Sequence, residues 1–269
     1  MFHRRRSQNH DDSDPLHRDA KTKELRLAVG ALSGRKSKFC TDACLRRYLV
    51  ARNWNVDKAK KMLEETLKWR DTYKPEEIRW NTTSGEGNVR HLVYLLENAI
   101  LNLPEGQEQM VWMIDFTGFS MSTSVSVRTT RDIMNILQNH YPERLGIAVL
   151  YNPPKIFQAF WKGVKYFLDS KTFQKVKFVY PKNKDSAELM RSYFDVENLP
   201  KEFGGNATLE YDHEEFSRLM AEDDMKAARY WGFDDKPCHA VQGCAAQVIP
   251  VQPIHANGHS KAEVFPEPL

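Results

Sequence analysis

The chain has 269 residues, of which 41% are hydrophobic and 11% aromatic, enough for one large domain or for a small helical module plus one domain. This composition excludes a mostly disordered chain. The formal net charge of +3, from 39 basic and 36 acidic residues, gives no general attraction to nucleic acid, so any anion-binding site must be local.

Both ends of the chain are predicted to be flexible. Residues 1–20 are polar and charged, and the residues after Trp231 mix Pro, Gly, Ala, His and Gln without helical or strand periodicity. No segment has the pattern of a secretory signal or a membrane span. We therefore expect a cytoplasmic protein with reduced thiols, and the spacing of its four cysteines matches no common zinc site.

A small helical module is predicted in the first third of the chain. From Thr41 to Lys74, apolar residues recur at steps of three and four, which is the period of an amphipathic helix. Asn55 interrupts this pattern and is expected to cap the second of two helices.

The middle of the chain alternates between helical and strand patterns. Continuous apolar runs at residues 109–116, 145–152 and 176–180 indicate strands, and helical periodicity precedes and separates them. Strands and helices in turn indicate βαβ crossovers, so the predicted fold class is α/β, with a largely parallel sheet covered by helices. Three strands are few for a sheet that carries this much helix.

The helix predicted at residues 155–168 has a wide apolar stripe. It follows two prolines, and its apolar side chains are Ile156, Phe157, Phe160, Trp161, Val164, Phe167 and Leu168. Burying them contributes on the order of 10–20 kcal/mol, at about 1.5–3 kcal/mol per side chain, so the stripe cannot simply face water. Periodicity leaves two interpretations open: an ordinary crossover helix on the sheet, or the cover of a cavity for an apolar ligand.

Charged residues flank the last two predicted strands. Glu143 precedes the second strand, and Thr172, Lys175 and Lys177 lie at the start of the third. A lysine with a hydroxyl can hold a phosphate, and a carboxylate can accept hydrogen bonds from a sugar-like hydroxyl. Taken singly, each of these residues is better interpreted as a solvated loop charge.

Four stretches of sequence occur in a characteristic order between Cys44 and Met220. They are YLVARNWNVDKAKKMLEETLKWR, MVWMIDFTGFS, NHYPERLGIAVLYNPPKIFQAFWKGVKYFLDSKTFQKVKFVYPKN and ENLPKEFGG. Together they resemble the CRAL-TRIO family, in particular its phosphatidylinositol/phosphatidylcholine transfer branch. The resemblance implies a helical N-terminal module at residues 21–80, a lipid-binding domain at 81–220 whose sheet floors a hydrophobic pocket, and a helical extension with a flexible tail at 221–269. Phe203, Gly204 and Gly205 match the end of the domain signature, and we interpret them as a tight turn rather than a ligand contact.

The resemblance gives the helix at 155–168 the role of a movable gate. A diacyl phospholipid has roughly 30 methylenes, and exposing them to water would cost more than about 20 kcal/mol at about 0.8 kcal/mol each. A carrier must therefore close over its cargo in water and open at a membrane. The implied gate and acyl contacts are Phe157, Phe160, Trp161, Val164 and Phe167.

The resemblance also implies a headgroup site. Glu143 matches the carboxylate that contacts the inositol ring, and Thr172 and Lys175 match the hydroxyl and the lysine near the phosphate. Arg52 matches a basic residue of the N-terminal module near the same headgroup. Asn53 stands where the family has a second basic residue, which weakens the implied phosphate site.

One segment departs from the family pattern. Family members have a β-hairpin between the helical module and the helix equivalent to residues 89–101, whereas KPEEIRW continues here directly into NTTSGEGNVRHL. The absence of this hairpin would expose a sheet edge and remove part of the pocket floor. It leaves open that the chain is a splice isoform or truncated product with impaired lipid binding.

The resulting prediction is a phospholipid-binding and transfer protein without enzymatic activity. It would carry one phospholipid per chain, with phosphatidylinositol favoured, and would need no cofactor or metal. It would act as a cytoplasmic monomer that visits membrane surfaces transiently and does not bind nucleic acid. The alternative is a non-transferring interaction or sensing isoform whose pocket is impaired by the missing hairpin.

An enzyme is disfavoured by the motifs of the sequence. The chain contains no nucleophile elbow, no H-E-x-x-H and no G-x-G-x-x-G after a strand. Asp115 ends a predicted strand, where active sites often lie, but no partner base or nucleophile accompanies it. We therefore interpret Asp115 as a turn or cap residue.

Overall fold

The structure, a computed structural model, describes residues 14–83, 87–119, 126–157, 161 and 170–233. Its helices are α1 Pro15–Val29, α2 Gly34–Phe39, α3 Asp42–Ala51, α4 Val56–Tyr73, α5 Trp80–Thr83, α6 Asn88–Leu101, α7 Val127–His140, α8 Ser170–Gln174, α9 Lys184–Tyr193 and α10 His213–Trp231. Its strands are β1 Met110–Asp115, β2 Leu145–Tyr151 and β3 Val176–Val179. Within these ranges, no helix combines the length and the apolar character needed to cross a bilayer.

The first helix begins inside the N-terminal segment that was predicted to be flexible. The Asp14 carboxylate accepts a hydrogen bond from the Leu16 amide at 3.1 Å, and Pro15 occupies the first helical position. Both features favour a helix start, because they satisfy or remove amide donors that have no partner within the helix. The chain is therefore helical from Pro15 onward, earlier than the boundary predicted at residue 21, and residues 1–13 lie outside the described part.

Helices α1, α3 and α4 form a helical module with its own core. The buried side chains are Leu25, Cys40, Cys44, Leu45, Tyr48, Leu49, Ala59, Met62, Leu63 and Leu67. Asn55 caps α4 as predicted, because its side-chain oxygen accepts a hydrogen bond from the Lys58 amide at 2.9 Å. Most of these core residues recur at the three and four residue steps seen in the sequence.

The three strands form one parallel sheet in the order β1-β2-β3. This arrangement, covered by helices and preceded by the helical module, confirms the predicted α/β class. In the described part of the chain β1 is an edge strand, and its side chains Val111 and Ile114 are 46% and 38% exposed.

The two faces of the sheet have different neighbours. Ile147, Val149 and Tyr151 alternate along β2 and pack with Met190 of α9. The intervening side chains of β2 must point to the opposite face, because successive residues of a strand alternate in direction. This second face is the one that carries the candidate site.

Helix α10 packs against the end of the helical module and against α6. Its Met220 is buried with Ile78, Val93 and Tyr94. The helix is capped by Asp212 at its start and by Gly232, at φ +72°, at its end, so it continues across the boundary predicted at residue 220. Residues 234–269 lie outside the described part.

The turn predicted at Phe203, Gly204 and Gly205 is present. Gly204 has φ +87°, a left-handed conformation that favours glycine. A Cβ atom at position 205 would lie 1.9 Å from the Leu199 carbonyl oxygen, so no larger residue fits without a backbone shift. The glycines therefore permit a close backbone approach, which confirms the interpretation as a tight turn.

A buried ion-pair network joins the helical module to α6. Arg70 of α4, which is 5% exposed, donates to both carboxylate oxygens of Glu97 at 2.8 and 2.9 Å. The Tyr141 hydroxyl donates to the same carboxylate at 2.7 Å, and Arg70 also contacts Glu76 at 3.2 Å. Burial alone would raise the pKa of Glu97, but the charge and hydrogen bonds of Arg70 hold it below its usual value.

His140, the last residue of α7, packs beside this network. Its ring stacks on Trp69 with centroids 4.3 Å apart, and its Nδ1 lies 3.1 Å from the Thr66 hydroxyl oxygen. Burial, followed by the positive charge of Arg70, lowers the pKa of His140 to about 4. The imidazole is therefore neutral in the folded protein at physiological pH.

We expect His140 to make stability fall in mild acid. Between its unfolded pKa of about 6.5 and the folded value of about 4, only the unfolded chain binds the proton, so the free energy of unfolding decreases as the pH falls through this window. Between pH 6.5 and 5, the free energy of unfolding should fall by about 1 kcal/mol more in wild type than in His140→Gln, after allowance for partial exposure of the ring. Urea unfolding of both proteins at each pH measures this difference. Parallel pH profiles would contradict it.

Candidate functional site

A cavity of about 470 Å³ lies on the face of the sheet opposite α9. Its floor contains one row of side chains across the three strands, in which Trp112 pairs with Ala148 and Ala148 with Val176. Ile114 and Leu150 continue the floor, and its helical walls include Leu96, Met134 and Leu137. A cavity of this size and apolar character is typical of a ligand-binding site.

The four residues assigned to the headgroup all line this cavity, at its polar end. They come from separate parts of the chain: Arg52 follows α3, Glu143 lies between α7 and β2, Thr172 belongs to α8, and Lys175 precedes β3. The fold therefore brings together residues that are more than 100 positions apart in the sequence.

Glu143 and Lys175 contact each other within the cavity wall. The Lys175 ammonium lies 3.3 Å from a Glu143 carboxylate oxygen, and the two side chains are only 22% and 23% exposed. The Lys175 amide donates to the Thr172 carbonyl at 3.1 Å, which fixes the backbone between α8 and β3. A carboxylate, an ammonium and a hydroxyl-bearing residue thus lie at one end of an apolar cavity.

The backbone of Glu143 has an uncommon conformation. Its φ is +56°, in the left-handed region, which costs a residue with a Cβ atom about 1–2 kcal/mol relative to glycine. Strained conformations of this kind concentrate at binding and active sites. The strain at Glu143 is consistent with a role for the carboxylate beyond local structure.

Lys171 is a cavity residue that the sequence analysis missed. Its ammonium donates to the Asn53 side-chain oxygen at 3.1 Å, and both residues line the cavity. Asn53 has φ +49°, a conformation that asparagine adopts more readily than most residues. Lys171 directly precedes Thr172, so its position in the KTFQK stretch could have indicated that it belongs to the cavity. It adds a positive charge close to Asn53, where the family has a second basic residue.

The structure describes two of the residues assigned to the gate, Phe157 and Trp161. Trp161 lines the cavity, stacks on Phe173 with centroids 5.6 Å apart, and meets Phe178 edge-on at 5.7 Å. The Phe157 ring lies 4.8 Å from that of Phe116. Phe160, Val164 and Phe167 lie outside the described residues.

Asp115 shows turn geometry and no site chemistry. Its carboxylate accepts a hydrogen bond from the Thr117 amide at 2.8 Å, which confirms its interpretation as a turn residue. In the part of the chain that the structure describes, no group of three or more His, Cys, Asp and Glu residues could hold a metal ion. Cys40 and Cys44 are buried free thiols.

Several curated proteins are similar to this chain. A CRAL-TRIO domain-containing protein of Schizosaccharomyces pombe is 33% identical over 216 residues, which cover 68% of this chain and 21% of that protein. The phosphatidylinositol transfer protein PDR17 of Saccharomyces cerevisiae is 27% identical across 70% of this chain and 64% of that protein. The SEC14 cytosolic factor of Candida glabrata is 29% identical across 70% of this chain and 78% of that protein. The chain thus spans less than two thirds of the first two relatives.

Among solved structures, the crystal structure of Sfh5 is similar over 66% of this chain and 82% of that one, with a TM-score of 0.46 and 17% identity. The family profile of the CRAL/TRIO domain matches residues 42–205, which is more than half of the chain. This match includes the whole sheet and every residue lining the polar end of the cavity. The resemblance seen in the sequence is therefore confirmed, and the chain belongs to the CRAL/TRIO domain family.

Proposed function

We propose that this protein binds one phospholipid, favours phosphatidylinositol, and transfers the lipid between membranes. The observation that carries the proposal is the convergence of Arg52, Glu143, Thr172 and Lys175 at the polar end of a cavity whose floor is apolar. A phospholipid has the same division, with a charged headgroup at one end and acyl chains at the other. PDR17 is named a phosphatidylinositol transfer protein, which supports the same class of ligand. The SEC14 protein is named a cytosolic factor, which supports a cytoplasmic location.

The sheet face supplies the surface for the acyl chains. Trp112, Ala148 and Leu150 present only hydrocarbon and indole to the cavity. Each methylene that moves from water to such a surface contributes about 0.8 kcal/mol, so the chains provide most of the binding free energy. The headgroup contacts then determine which lipid is preferred.

The polar residues match the chemistry of a phosphoinositol headgroup. Glu143 can accept hydrogen bonds from the ring hydroxyls, while Lys175 and Arg52 can donate to the phosphate. In the structure, Glu143 and Lys175 satisfy each other at 3.3 Å. When lipid binds, Glu143 would contact the ring hydroxyls and Lys175 the phosphate in place of each other. Neither charge is then left buried without a partner.

Exchange with a membrane requires apolar side chains near the cavity entrance. Ile156, which directly precedes Phe157 in the helix predicted at residues 155–168, is 58% exposed. An exposed aliphatic residue beside aromatic ones can enter the lipid interface while the gate opens. In this proposal the protein is a monomer, associates with membranes only during exchange, and performs no covalent chemistry.

A second candidate function is supported by the edge of the sheet. Val111 and Ile114 of β1 are 46% and 38% exposed, and Ile114 also lines the cavity. An apolar floor that reaches solvent at an open edge would hold acyl chains less tightly. The alternative is therefore an isoform that keeps the fold but senses or interacts without transferring lipid.

Replacing Lys175 by alanine tests the headgroup assignment. We expect binding of phosphatidylinositol to weaken by at least about tenfold, because a charge-assisted hydrogen bond to the phosphate is lost. Phosphatidylcholine should be affected less, since its choline ammonium is repelled by the same lysine. Transfer of each fluorescent lipid between vesicles gives the two rates.

Lys177→Ala is the matched control for this experiment. Lys177 is in β3, two residues further along, and is absent from the cavity lining among the described residues. Its replacement should leave both transfer rates near wild type. Equal losses of the two lipids in Lys175→Ala would show that Lys175 does not discriminate the headgroup.

A further inference from the structure

A second cavity, of about 250 Å³, lies between the helical module and the start of β2. Its charged lining includes Arg47 of α3, Arg144 just before β2, Glu108 just before β1, and Lys38 of α2. It shares Tyr141, Pro142 and Arg144 with the larger cavity but contains none of the predicted headgroup residues. Neither the family resemblance nor the comparisons assign it a function.

Two arginines in this cavity share one carboxylate. The guanidinium groups of Arg47 and Arg144 both contact the same oxygen of Glu108, Arg144 at 2.9 Å, and Arg144 also donates to the Glu108 carbonyl at 2.8 Å. The two arginine side chains are only 12% and 13% exposed. Two largely buried cations thus approach each other across a single negative oxygen.

The remaining groups of the cavity do not balance this charge. Glu97 is already bound by Arg70 through two hydrogen bonds and by the Tyr141 hydroxyl. His140 is neutral, and the Lys38 ammonium donates to an uncharged acceptor, the Tyr230 carbonyl, at 2.7 Å. The described lining of the cavity therefore has three cations and two carboxylates, one of which, Glu97, is already paired with Arg70.

The electrostatics of Arg144 agree with this imbalance. Burial and then the positive charge of Arg47 lower the pKa of the Arg144 guanidinium below its usual value. The negative charge of an anion between the two arginines would offset both effects. Each guanidinium has five N–H donors in a planar fork, which matches two oxygens of a carboxylate or a phosphate, and a phosphate has enough oxygens to serve two such forks.

We infer that this cavity is a second anion site, which binds a phosphate group between Arg47 and Arg144. Free phosphate and a phosphate on a lipid headgroup have the same chemistry, and both would be held by the two guanidinium forks and by Lys38. The site does not depend on the proposed lipid transfer, because Arg47 and Lys38 line this cavity alone and, of the three cations, only Arg144 borders both cavities.

Calorimetric titration of the full chain with inorganic phosphate tests this site. Wild type should bind one phosphate, and Arg47→Met should weaken the binding by at least about tenfold. Glu108→Gln should strengthen it severalfold, because the carboxylate that competes for both arginines is removed. Arg46→Met is the matched control, since Arg46 is the neighbouring residue of α3 and pairs at the surface with Asp19.

Arg47→Met and Glu108→Gln should change phosphate affinity in opposite directions, which general destabilisation of the fold would not do. If Arg47→Met does not fold, Glu108→Gln decides, because the Glu108 side chain is 41% exposed and glutamine keeps its size. Unchanged or weaker binding in Glu108→Gln, or no phosphate binding by wild type, would overturn the inference. Loss of binding in Lys175→Ala would place the phosphate in the larger cavity and also overturn it.

Co-sedimentation with vesicles identifies the source of the phosphate. Phosphatidylcholine vesicles with and without a phosphatidylinositol monophosphate are compared for wild type and Arg47→Met. Stronger binding of wild type to the phosphorylated lipid, lost in Arg47→Met, would assign the site to a headgroup. If inorganic phosphate binds in calorimetry but the vesicle effect is absent, the site would be assigned to free phosphate or a soluble phosphate ester. Either result supports the second site, including when lipid transfer itself is absent.

Discussion

Replacing Ala148 by phenylalanine should leave most of the purified protein without phospholipid. Ala148 is 5% exposed and occupies the centre of the cavity floor, between Trp112 and Val176. The added ring can enter only the cavity, because the opposite face of β2 is filled by the packed core. It would occupy the space of the acyl chains, so we expect lipid occupancy to fall by more than about tenfold.

Ala187→Phe is the control for this substitution. Ala187 is exposed on α9, the helix on the other side of the sheet, so the same ring is added away from the cavity. Native mass spectrometry gives the lipid occupancy of each variant, and thermal unfolding shows whether each remains folded. Full occupancy in a folded Ala148→Phe protein would mean that the acyl chains do not lie on this sheet face.

Among the substitutions described here, Arg70→Met should produce the largest loss of stability. The substitution keeps the apolar packing of the stem but leaves Glu97 buried without its cationic partner. Breaking a buried ion pair in this way costs about 3–5 kcal/mol, which lowers Tm by about 10 °C in a domain of this size. Calorimetric unfolding measures the change.

The expected loss depends on burial, so Arg218→Met is the comparison. Arg218 pairs with Glu215 and Glu222 on the exposed surface of α10, and its removal should leave Tm unchanged. Adding Glu97→Gln to Arg70→Met should recover part of the stability, because the unpaired buried charge disappears. Equal effects of Arg70→Met and Arg218→Met on Tm would show that the buried network contributes no more to stability than an exposed ion pair.

The elements of the fold that sequence predicted depend on local signals. The strands at residues 110–115, 145–151 and 176–179 follow from continuous apolar runs, and the cap at Asn55 follows from a break in helical period. The turn at Gly204 and Gly205 needs a residue without a Cβ atom, which only glycine provides. The start of α1 at Pro15 was missed because a charged, polar composition outweighed a single cap at Asp14.

The side-chain contacts that sequence could not predict join residues that are distant in the chain. Arg70 and Glu97 are 27 positions apart, and Arg47 and Glu108 are 61 apart, so no periodicity connects them. The left-handed backbone of Glu143 is equally invisible, because its neighbours do not require it. Family resemblance pointed to individual residues of the cavity, but only the folded chain shows that Lys171 contacts Asn53 there.

Native mass spectrometry of the unmodified chain, purified from cells without added lipid, tests the central claim most directly. We predict a monomer that carries one phospholipid, with phosphatidylinositol enriched among the lipids extracted from that fraction. A folded, monodisperse protein without phospholipid would contradict the proposed carrier function and would favour the isoform that interacts without transferring lipid.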